Sequence, residues 1–237
     1  LAQSFHDAKR PPARLWPHGA RNLGATHARA ALLVFSDPDV YPRADWLAAL
    51  LAAHRRTGGV VVGALADHGT SWLGRGMHLC KFSKWLPGQP EAEVDNAPTA
   101  NLLVPRAIFD ELGGLRGERF LADAWFSWQL RQHGRVLHFA PAAVVAHHHH
   151  STLGEFLRER FSRGIQYGDL RAEWRHLGIG GALFYLAVSL LPVRLLRILS
   201  LVASQCARAG ELGSLLATLP LVALGHQASL LGESVAY

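Results

Sequence analysis

The apolar positions of the first 150 residues fall into short runs that are separated by segments with helical spacing. The runs predict buried strands at 31–35, 60–65, 99–105, 136–139 and 143–146. The intervening segments predict helices at 20–30, 46–56, 107–112 and 123–133, several of them ended by glycine. Strands that alternate with helices are typical of an α/β sandwich rather than of an all-helical protein.

Two stretches of this part lack such a pattern. Residues 1–19 are polar and contain three prolines, so we expect a loop with one short strand near Arg14 to Trp16. Residues 66–98 are rich in Gly, Trp, His and Lys, and we expect an irregular excursion that faces a substrate.

The last third of the chain changes character. A basic helical stretch at 153–168 precedes apolar runs at 179–193 and 212–231, and the second run has the roughly 20 residues that a membrane span needs. We predict two membrane-associated helices, either a hairpin or one span with one interfacial helix. Arg194 and Arg197 favour the interfacial form between the runs, because a charge at bilayer depth is costly. Two buried helices of a soluble domain remain the alternative.

Composition narrows the class of protein further. Apolar residues make up 49% of the 237 positions and the mean hydropathy is +0.10, which is high for a purely soluble domain. The net charge of +6 suits a phosphate-bearing ligand or an anionic lipid surface. No zinc-finger spacing or dense basic helix accompanies it, so we expect no nucleic-acid partner. Cys80 and Cys206 lie too far apart in the sequence for a cysteine metal motif.

The segment with the most chemical information follows the apolar run at 31–35. Asp37 and Asp39 are separated by one residue, so in an extended chain their side chains point to the same side. Two converging carboxylates suit Mg²⁺ or Mn²⁺, which prefer oxygen ligands and keep positions open for phosphate oxygens. A turn that carries two solvated acids is the alternative.

Several separated motifs then follow in an order that resembles the family 2 glycosyltransferases, which have the A-type nucleotide-sugar fold. The motifs are Ala20-Arg21-Asn22-Leu23-Gly24, Phe35-Ser36-Asp37-Pro38-Asp39, Thr99-Ala100-Asn101, Phe109 to Leu115, Asp123 and Val145-Ala146-His147. The resemblance runs from about Arg14 to Gly168. It implies an incomplete Rossmann-like sandwich, followed here by C-terminal hydrophobic helices.

The resemblance assigns roles on the donor side of the site. Asp37 and Asp39 match the residues that hold the metal, Mg²⁺ or Mn²⁺, and the diphosphate of a nucleotide-sugar donor. Arg21 and Asn22 match the segment beside the nucleotide, although a structural role at a helix start is an alternative for Asn22. His147 matches a histidine that follows the family's Val-rich strand, near the metal or the diphosphate.

On the acceptor side, the resemblance assigns Asp123 as the general base that takes a proton from the acceptor hydroxyl, with inversion at the anomeric carbon. For Asp123, a helix N-cap is the structural alternative. The family's preceding acid is replaced by Ala122 and its following acid by Trp125, which puts the acceptor site in doubt. Asn101 matches the strand on the acceptor side, with strand-end hydrogen bonding as its alternative.

The resemblance also implies how the chain is divided. We expect a catalytic domain at 1–170 that lacks its first βαβ portion, and a membrane-associated helical region at 171–237. The missing portion would be about 70 to 100 residues upstream, by the usual size of such units, and its loss would leave the edges of a parallel sheet unpaired and donor binding weak. We expect the catalytic domain on the cytoplasmic face of a membrane, in a bacterium the inner membrane.

These observations predict an inverting, metal-dependent glycosyltransferase that moves a sugar from a nucleotide diphosphate to a hydroxyl of a lipid or a growing polysaccharide. Two alternatives stay open. One is a catalytically silent, membrane-bound scaffold, favoured by Ala122. The other is a metallohydrolase built on His147 to His150 together with the two aspartates; no His-Glu-x-x-His helix supports it.

Overall fold

The computed structural model describes residues 17–116, 121–149 and 151–237. The described ranges form six strands: β1 (Leu32–Ser36), β2 (Val40–Pro42), β3 (Val60–Asp67), β4 (Ala92–Val94), β5 (Asn101–Pro105) and β6 (Leu137–His147). They also form nine α-helices: α1 (Pro17–His27), α2 (Trp46–Thr57), α3 (Trp72–Phe82), α4 (Arg106–Glu111), α5 (Ala122–Gln132), α6 (Leu153–Arg175), α7 (Ile179–Leu190), α8 (Pro192–Arg208) and α9 (Leu212–Val235). The mixed α/β class predicted from the sequence is confirmed. The strand expected near Arg14 to Trp16 lies outside the described residues.

The six strands form one sheet in the order β1-β5-β3-β6-β2, with β4 also paired to β6. Only β3 and β6 are parallel neighbours, and the other four pairings in the described sheet are antiparallel. The expectation of a parallel sheet is therefore wrong, because β5 enters between β1 and β3 in the opposite direction. Strands β1, β3 and β6 still run the same way, so their carboxyl ends meet at one edge of the sheet, where open α/β sheets place their ligands.

Strand β6 organises this edge. The two short strands predicted at 136–139 and 143–146 are parts of one strand, Leu137–His147. One side of β6 pairs with β3, and its other side pairs first with β4 and then with β2. Because β2 follows the Asp37–Asp39 turn directly, this pairing brings the turn to the end of β6.

The irregular excursion predicted for 66–98 is wrong in its main part. Strand β3 continues to Asp67, and helix α3 follows, begun by Ser71, whose hydroxyl accepts a hydrogen bond from the Gly74 amide. Glycine has low helix propensity, so Gly74 and Gly76 conceal this helix in the sequence. Tertiary packing explains one of them: a Cβ at Gly76 would lie 2.6 Å from the Leu221 side chain of α9.

The last helix packs closely against the rest of the protein. Helix α9 contacts α3, α6, α7 and α8. A Cβ on Gly164 of α6 would clash with the Ser229 carbonyl of α9, and a Cβ on Gly232 of α9 would clash with the Phe161 carbonyl of α6. The backbones of α6 and α9 are therefore in direct contact at these two glycines, and α9 is an integral part of the packed structure. The predicted domain boundary at residue 170 falls inside α6.

The C-terminal helices also expose much apolar surface. Within the described ranges, α9 alone is long and apolar enough to cross a membrane, and 39% of its most apolar window is buried inside the protein. Helices α7 and α8 meet the same criterion only together, bent by 66°. Large apolar side chains point outward on these helices, among them Ile179, Leu183, Phe184, Val193, Leu196, Leu216 and Leu224.

Candidate active site

A turn between β1 and β2 places two carboxylates at the common edge of the sheet. Asp37 and Asp39 lie on this turn, and the backbone amide of His148 donates a hydrogen bond of 2.9 Å to the Asp39 carbonyl. His147, the last residue of β6, lies alongside, with its Nε2 atom 3.6 Å from Oδ2 of Asp39. Ligand atoms of Asp37, Asp39 and His147 all lie within 4.8 Å of one another.

These three residues fit a divalent cation. Two carboxylates and one imidazole are donors that Mg²⁺ or Mn²⁺ accepts. The Nδ1 atom of His147 is buried without a hydrogen-bond partner in the described structure, and such orphan atoms are rare in folded proteins. Burial lowers the pKa of His147, although the Asp39 and Asp37 carboxylates oppose this shift. The imidazole is therefore held neutral, which is the form that binds a metal.

Helix α1 supplies an arginine to the same turn. The Arg21 guanidinium pairs with Oδ1 of Asp37 and also hydrogen-bonds the His18 ring at 3.2 Å. The Arg21 side chain is only 15% exposed, so it has little freedom to leave Asp37. Arg21 thus fixes the orientation of one carboxylate and leaves the second oxygen of Asp37 for a ligand.

A cavity of about 700 Å³ opens beside this turn and includes Asp123 in its wall. Asp123 lies in the first turn of α5, and its Oδ1 atom accepts a hydrogen bond of 2.9 Å from the Ala124 amide. Helix α5 begins at Ala122 and its N-cap residue is Leu121. The interpretation of Asp123 as the N-cap is therefore wrong. The cavity also contains Arg21, Asp37, Asp39 and His147, and all five sequence-predicted residues named here thus share one space.

Basic residues that sequence reasoning did not select also line this cavity. Lys81 comes from α3, and Arg160 and Arg163 come from the basic stretch of α6. The Lys81 ammonium pairs with Glu159 at 2.5 Å. The basic helical stretch at 153–168 predicted the helix, but the sequence did not show which of its arginines face this cavity. Together these side chains add positive charge to the cavity wall, part of which Glu159 compensates.

Asn22 does not lie in the cavity. Its side-chain amide donates to the Leu115 carbonyl at 2.6 Å and its oxygen accepts from the Leu115 amide at 2.9 Å. Both ends of the side chain are therefore used to fasten α1 to the loop after Gly114. The donor-binding role expected for Asn22 is not supported by this position, which corresponds to the structural alternative.

Asn101 is also placed differently from the expectation. It is fully buried, and its amide donates to the carbonyls of Ala64 and Ala143 at 2.9 and 2.8 Å while its oxygen accepts from the Trp46 indole at 2.8 Å. These partners lie on β3, β6 and α2. Because its polar atoms are satisfied by buried protein groups, this position corresponds to the structural alternative for Asn101, and its acceptor-side role stays a prediction.

The histidine run continues away from His147. The rings of His147 and His149 stack with centroids 4.6 Å apart, and Nε2 of His149 lies 3.2 Å from Nδ1 of His78 on α3. Ligand atoms of Asp67, His78 and His149 form a second group within 4.8 Å. Burial lowers the pKa of His78 to about 3 and that of His149 to about 2, so this pair is neutral. His149 follows β6 outside regular secondary structure and is half-buried against the rings of His147 and His78; His150 lies outside the described residues.

The structure thus defines a class of protein, a mixed α/β domain. Its sheet brings an Asp-x-Asp turn, a histidine and several basic side chains together around one cavity. Residues 8–120, just under half of the chain, match the sequence model of glycosyl transferase family 2, and this match supports membership of that family. Asp123 and His147 lie beyond the matched segment, so the match itself does not assign their roles.

Two kinds of similar protein accompany this match. The chain is 27% identical over 156 residues to the pre-mycofactocin glycosyltransferase of Mycobacterium tuberculosis, in strains CDC 1551 / Oshkosh and ATCC 25618 / H37Rv. The similarity covers 61% of this chain and 32% of the relative, so the chain spans about a third of the length of these curated relatives. Among solved structures, GalNAc-T7 with UDP, GalNAc and Mn²⁺ matches 59% of this chain and 31% of its own, at a TM-score of 0.45 and 17% identity.

Proposed function

We propose that this chain forms the catalytic part of an inverting, metal-dependent glycosyltransferase. It moves a sugar from a nucleoside diphosphate donor to an acceptor hydroxyl at a membrane, in the synthesis of a glycolipid or polysaccharide. The observation that carries the proposal is the convergence of Asp37, Asp39 and His147 within 4.8 Å, in the same cavity as Asp123. The glycosyltransferase relatives support the reaction class.

The donor side of the reaction depends on charge. Asp37, Asp39 and His147 would hold Mg²⁺ or Mn²⁺, which when bound neutralises negative charge on a diphosphate. Arg21 keeps Asp37 in position through its ion pair. Lys81, which pairs with Glu159, adds a positive charge to the cavity wall. These fixed charges would stabilise the diphosphate as it leaves the sugar.

The acceptor side depends on Asp123. Its Oδ1 atom is already hydrogen-bonded to the Ala124 amide, which leaves Oδ2 to accept the proton of an acceptor hydroxyl. The hydroxyl oxygen forms the new bond to the anomeric carbon as the bond to the diphosphate breaks. Attack from the side opposite the diphosphate inverts the configuration. Ala122, the preceding residue, is buried and provides no second acid.

Membrane association rests on the C-terminal helices. Helix α9 has the length and composition of a span, and α7 and α8 present large apolar side chains to the outside. These surfaces would place the cavity next to lipid, on the cytoplasmic face if the donor is a cytoplasmic nucleotide sugar. Because Ile179 is 83% exposed, it is well placed to enter the apolar part of a bilayer.

The metal site is the part that can be tested first. Mn²⁺ binding is measured by electron paramagnetic resonance on the native chain, on Asp39→Asn and on Asp45→Asn, which changes an exposed acid of the next loop. We expect Asp39→Asn to raise the dissociation constant for Mn²⁺ by about tenfold or more. Tenfold corresponds to about 1.4 kcal/mol, the scale of one lost contact with a charged group. Asp45→Asn should match the native chain. Equal Mn²⁺ binding by the native chain and Asp39→Asn would reject the site.

A second measurement separates a transferase from a silent scaffold. Nucleoside diphosphates should strengthen Mn²⁺ binding by the native chain, and sugar transfer or slow donor hydrolysis should be lost in Asp123→Asn while Mn²⁺ binding remains. If Asp123→Asn kept the native transfer rate, Asp123 would not be the base. Nucleotide binding without any turnover of the tested donors would favour the scaffold.

A further inference from the structure

A second cavity, of about 970 Å³, lies between the catalytic part and the C-terminal helices. We call it the arginine cavity, because five arginines line it: Arg131 of α5, Arg171 and Arg175 of α6, and Arg194 and Arg197 of α8. Its volume is at the upper end of the range of sites for small molecules. It is separate from the metal-binding turn, whose residues do not line it.

The positive charge of the arginine cavity is only partly compensated. Asp95 is the single acid in its lining, and the Lys84 ammonium already pairs with that carboxylate. Within the described ranges, neither Arg131 nor Arg197 forms an ion pair with a carboxylate. Arg175 donates a hydrogen bond of 2.7 Å to the Tyr185 hydroxyl instead. Within the described residues, three guanidinium groups of the arginine cavity therefore have no carboxylate at ion-pair distance.

Deeper in the wall, two arginines share one acid. Arg171 and Arg194 both pair with the carboxylate of Glu233 on α9. The two side chains are 13% and 18% exposed and Glu233 is 5% exposed. Buried charges are normally paired one to one, because an unbalanced charge away from water is costly. A bound anion would restore the balance at this place.

Aromatic and apolar groups surround these cations. The arginine cavity includes Trp128, Trp174 and Phe184, and the Arg171 guanidinium lies 4.6 and 4.8 Å from the ring centroids of Tyr167 and Tyr185. Phe184 is 61% exposed and continues into the outward apolar surface of α7. A ligand that enters from this side therefore meets hydrocarbon-like surface first and guanidinium groups next.

The arginine cavity adjoins the cavity of about 700 Å³ beside the Asp37–Asp39 turn, which we call the catalytic cavity. Tyr167 and Arg194 line both spaces. Glu233 lines the catalytic cavity and pairs with the two deeper arginines of the other. A molecule held by its anionic group in the arginine cavity would have its next polar part within reach of the catalytic cavity.

We infer that the arginine cavity binds the phosphate of a lipid-linked acceptor, with the guanidinium groups on the phosphate and the aromatic wall of α7 on the adjoining hydrocarbon. Guanidinium groups bind phosphate oxygens through paired, charge-assisted hydrogen bonds, which explains the use of arginine rather than lysine here. Only the identification of this ligand as the acceptor rests on the proposed function. The binding of a lipid phosphate in the arginine cavity does not depend on that function.

The test measures binding directly, without turnover. The probe is geranylgeranyl monophosphate in detergent micelles, followed by the fluorescence of the protein, since Trp128 and Trp174 line the arginine cavity. Geranylgeraniol supplies the chain without the phosphate, and inorganic phosphate supplies the anion without the chain. We expect the lipid phosphate to bind about tenfold or more tightly than either, and Arg131→Gln and Arg197→Gln each to weaken it by about fivefold to tenfold. Arg55→Gln, an exposed arginine of α2, is the matched control and should bind as the native chain does.

Each other result overturns the inference in a defined way. Equal binding of geranylgeraniol would show an apolar site without phosphate recognition, and equal binding of inorganic phosphate would show an anion site without lipid recognition. Weakening by Arg55→Gln as strong as by Arg197→Gln would show general attraction to a charged micelle. Mn²⁺ binding to the same variants separates the two proposals: lipid phosphate binding with no Asp39-dependent Mn²⁺ site rejects only the transferase, and the reverse rejects only the lipid site.

Discussion

One carboxylate holds three helices of this protein together, and its removal is the sharpest test of the packing described above. Glu233 of α9 pairs with Arg171 of α6 and with Arg194 of α8. Its oxygen also accepts a hydrogen bond of 3.0 Å from the Tyr237 hydroxyl. Glu233→Gln keeps the shape of the side chain and removes its charge. Two largely buried guanidinium groups then lose their counter-charge.

The size of the effect follows from burial. Loss of one partner of a buried ion pair destabilises a protein by about 3–5 kcal/mol, because the remaining charge stays desolvated. Arg171 and Arg194 keep some exposure, at 13% and 18%, so we expect the lower end, about 3 kcal/mol. For a chain of this length, 1 kcal/mol shifts Tm by about 2–4 °C. The expected fall in Tm is therefore on the order of 6–12 °C.

The measurement is thermal unfolding followed by circular dichroism, on protein in a mild detergent. Glu91→Gln is the matched control, because Glu91 pairs with Arg56 and both side chains are more than half exposed. Exposed pairs contribute about 0–1 kcal/mol, so Tm of the control should fall by no more than about 4 °C. A Tm for Glu233→Gln within the range of the control would refute the claim that this carboxylate compensates buried charge.

Two further predictions concern buried positions. The folded state lowers the pKa of His78 to about 3 from its ordinary 6.5, so protonation favours unfolding: this contribution to stability is complete above pH 6.5 and is lost as the pH falls toward 3. The free energy of unfolding is measured with denaturant at pH 7.5 and at pH 5.5. Its decrease between these pH values should be about 1 kcal/mol larger for the native chain than for His78→Gln, and equal decreases would contradict the prediction. Gly232→Ala should destabilise by about 1–3 kcal/mol in the same assay, because its Cβ meets the Phe161 carbonyl. Gly213→Ala on the same helix has open space and should be neutral or slightly stabilising; a similar loss in both variants would mean that the glycine contact has no special role.

The sequence predicted those features whose cause is local. Apolar runs identified β1, β3 and β5, and the Asp-x-Asp spacing identified the turn at residues 37–39, since both depend on neighbours in the chain. Helix α3 was missed because Gly74 and Gly76 weaken the helical pattern, and the contact that explains Gly76 is with Leu221 of α9, which is far away in the sequence.

Asn22 and Asn101 show that the sequence also could not predict which polar side chains face the site. Asn22 and Asn101 belong to motifs of the family, yet each amide is satisfied by backbone groups far away in the sequence, those of Leu115 and those of Ala64 and Ala143. Motif order therefore located the neighbourhood of the site but not which polar side chains face it. The roles of Asp37, Asp39, His147 and Asp123, and the division of the chain at residue 170, stay predictions.

Helix α9 closes the catalytic cavity, since His226, Ser229, Leu230 and Glu233 form part of its wall. A version of this protein shortened to remove α9 would therefore lose one side of this cavity. Screening for inhibitors, or for substrates, on such a trimmed enzyme would examine a different pocket from the one that operates in the intact chain.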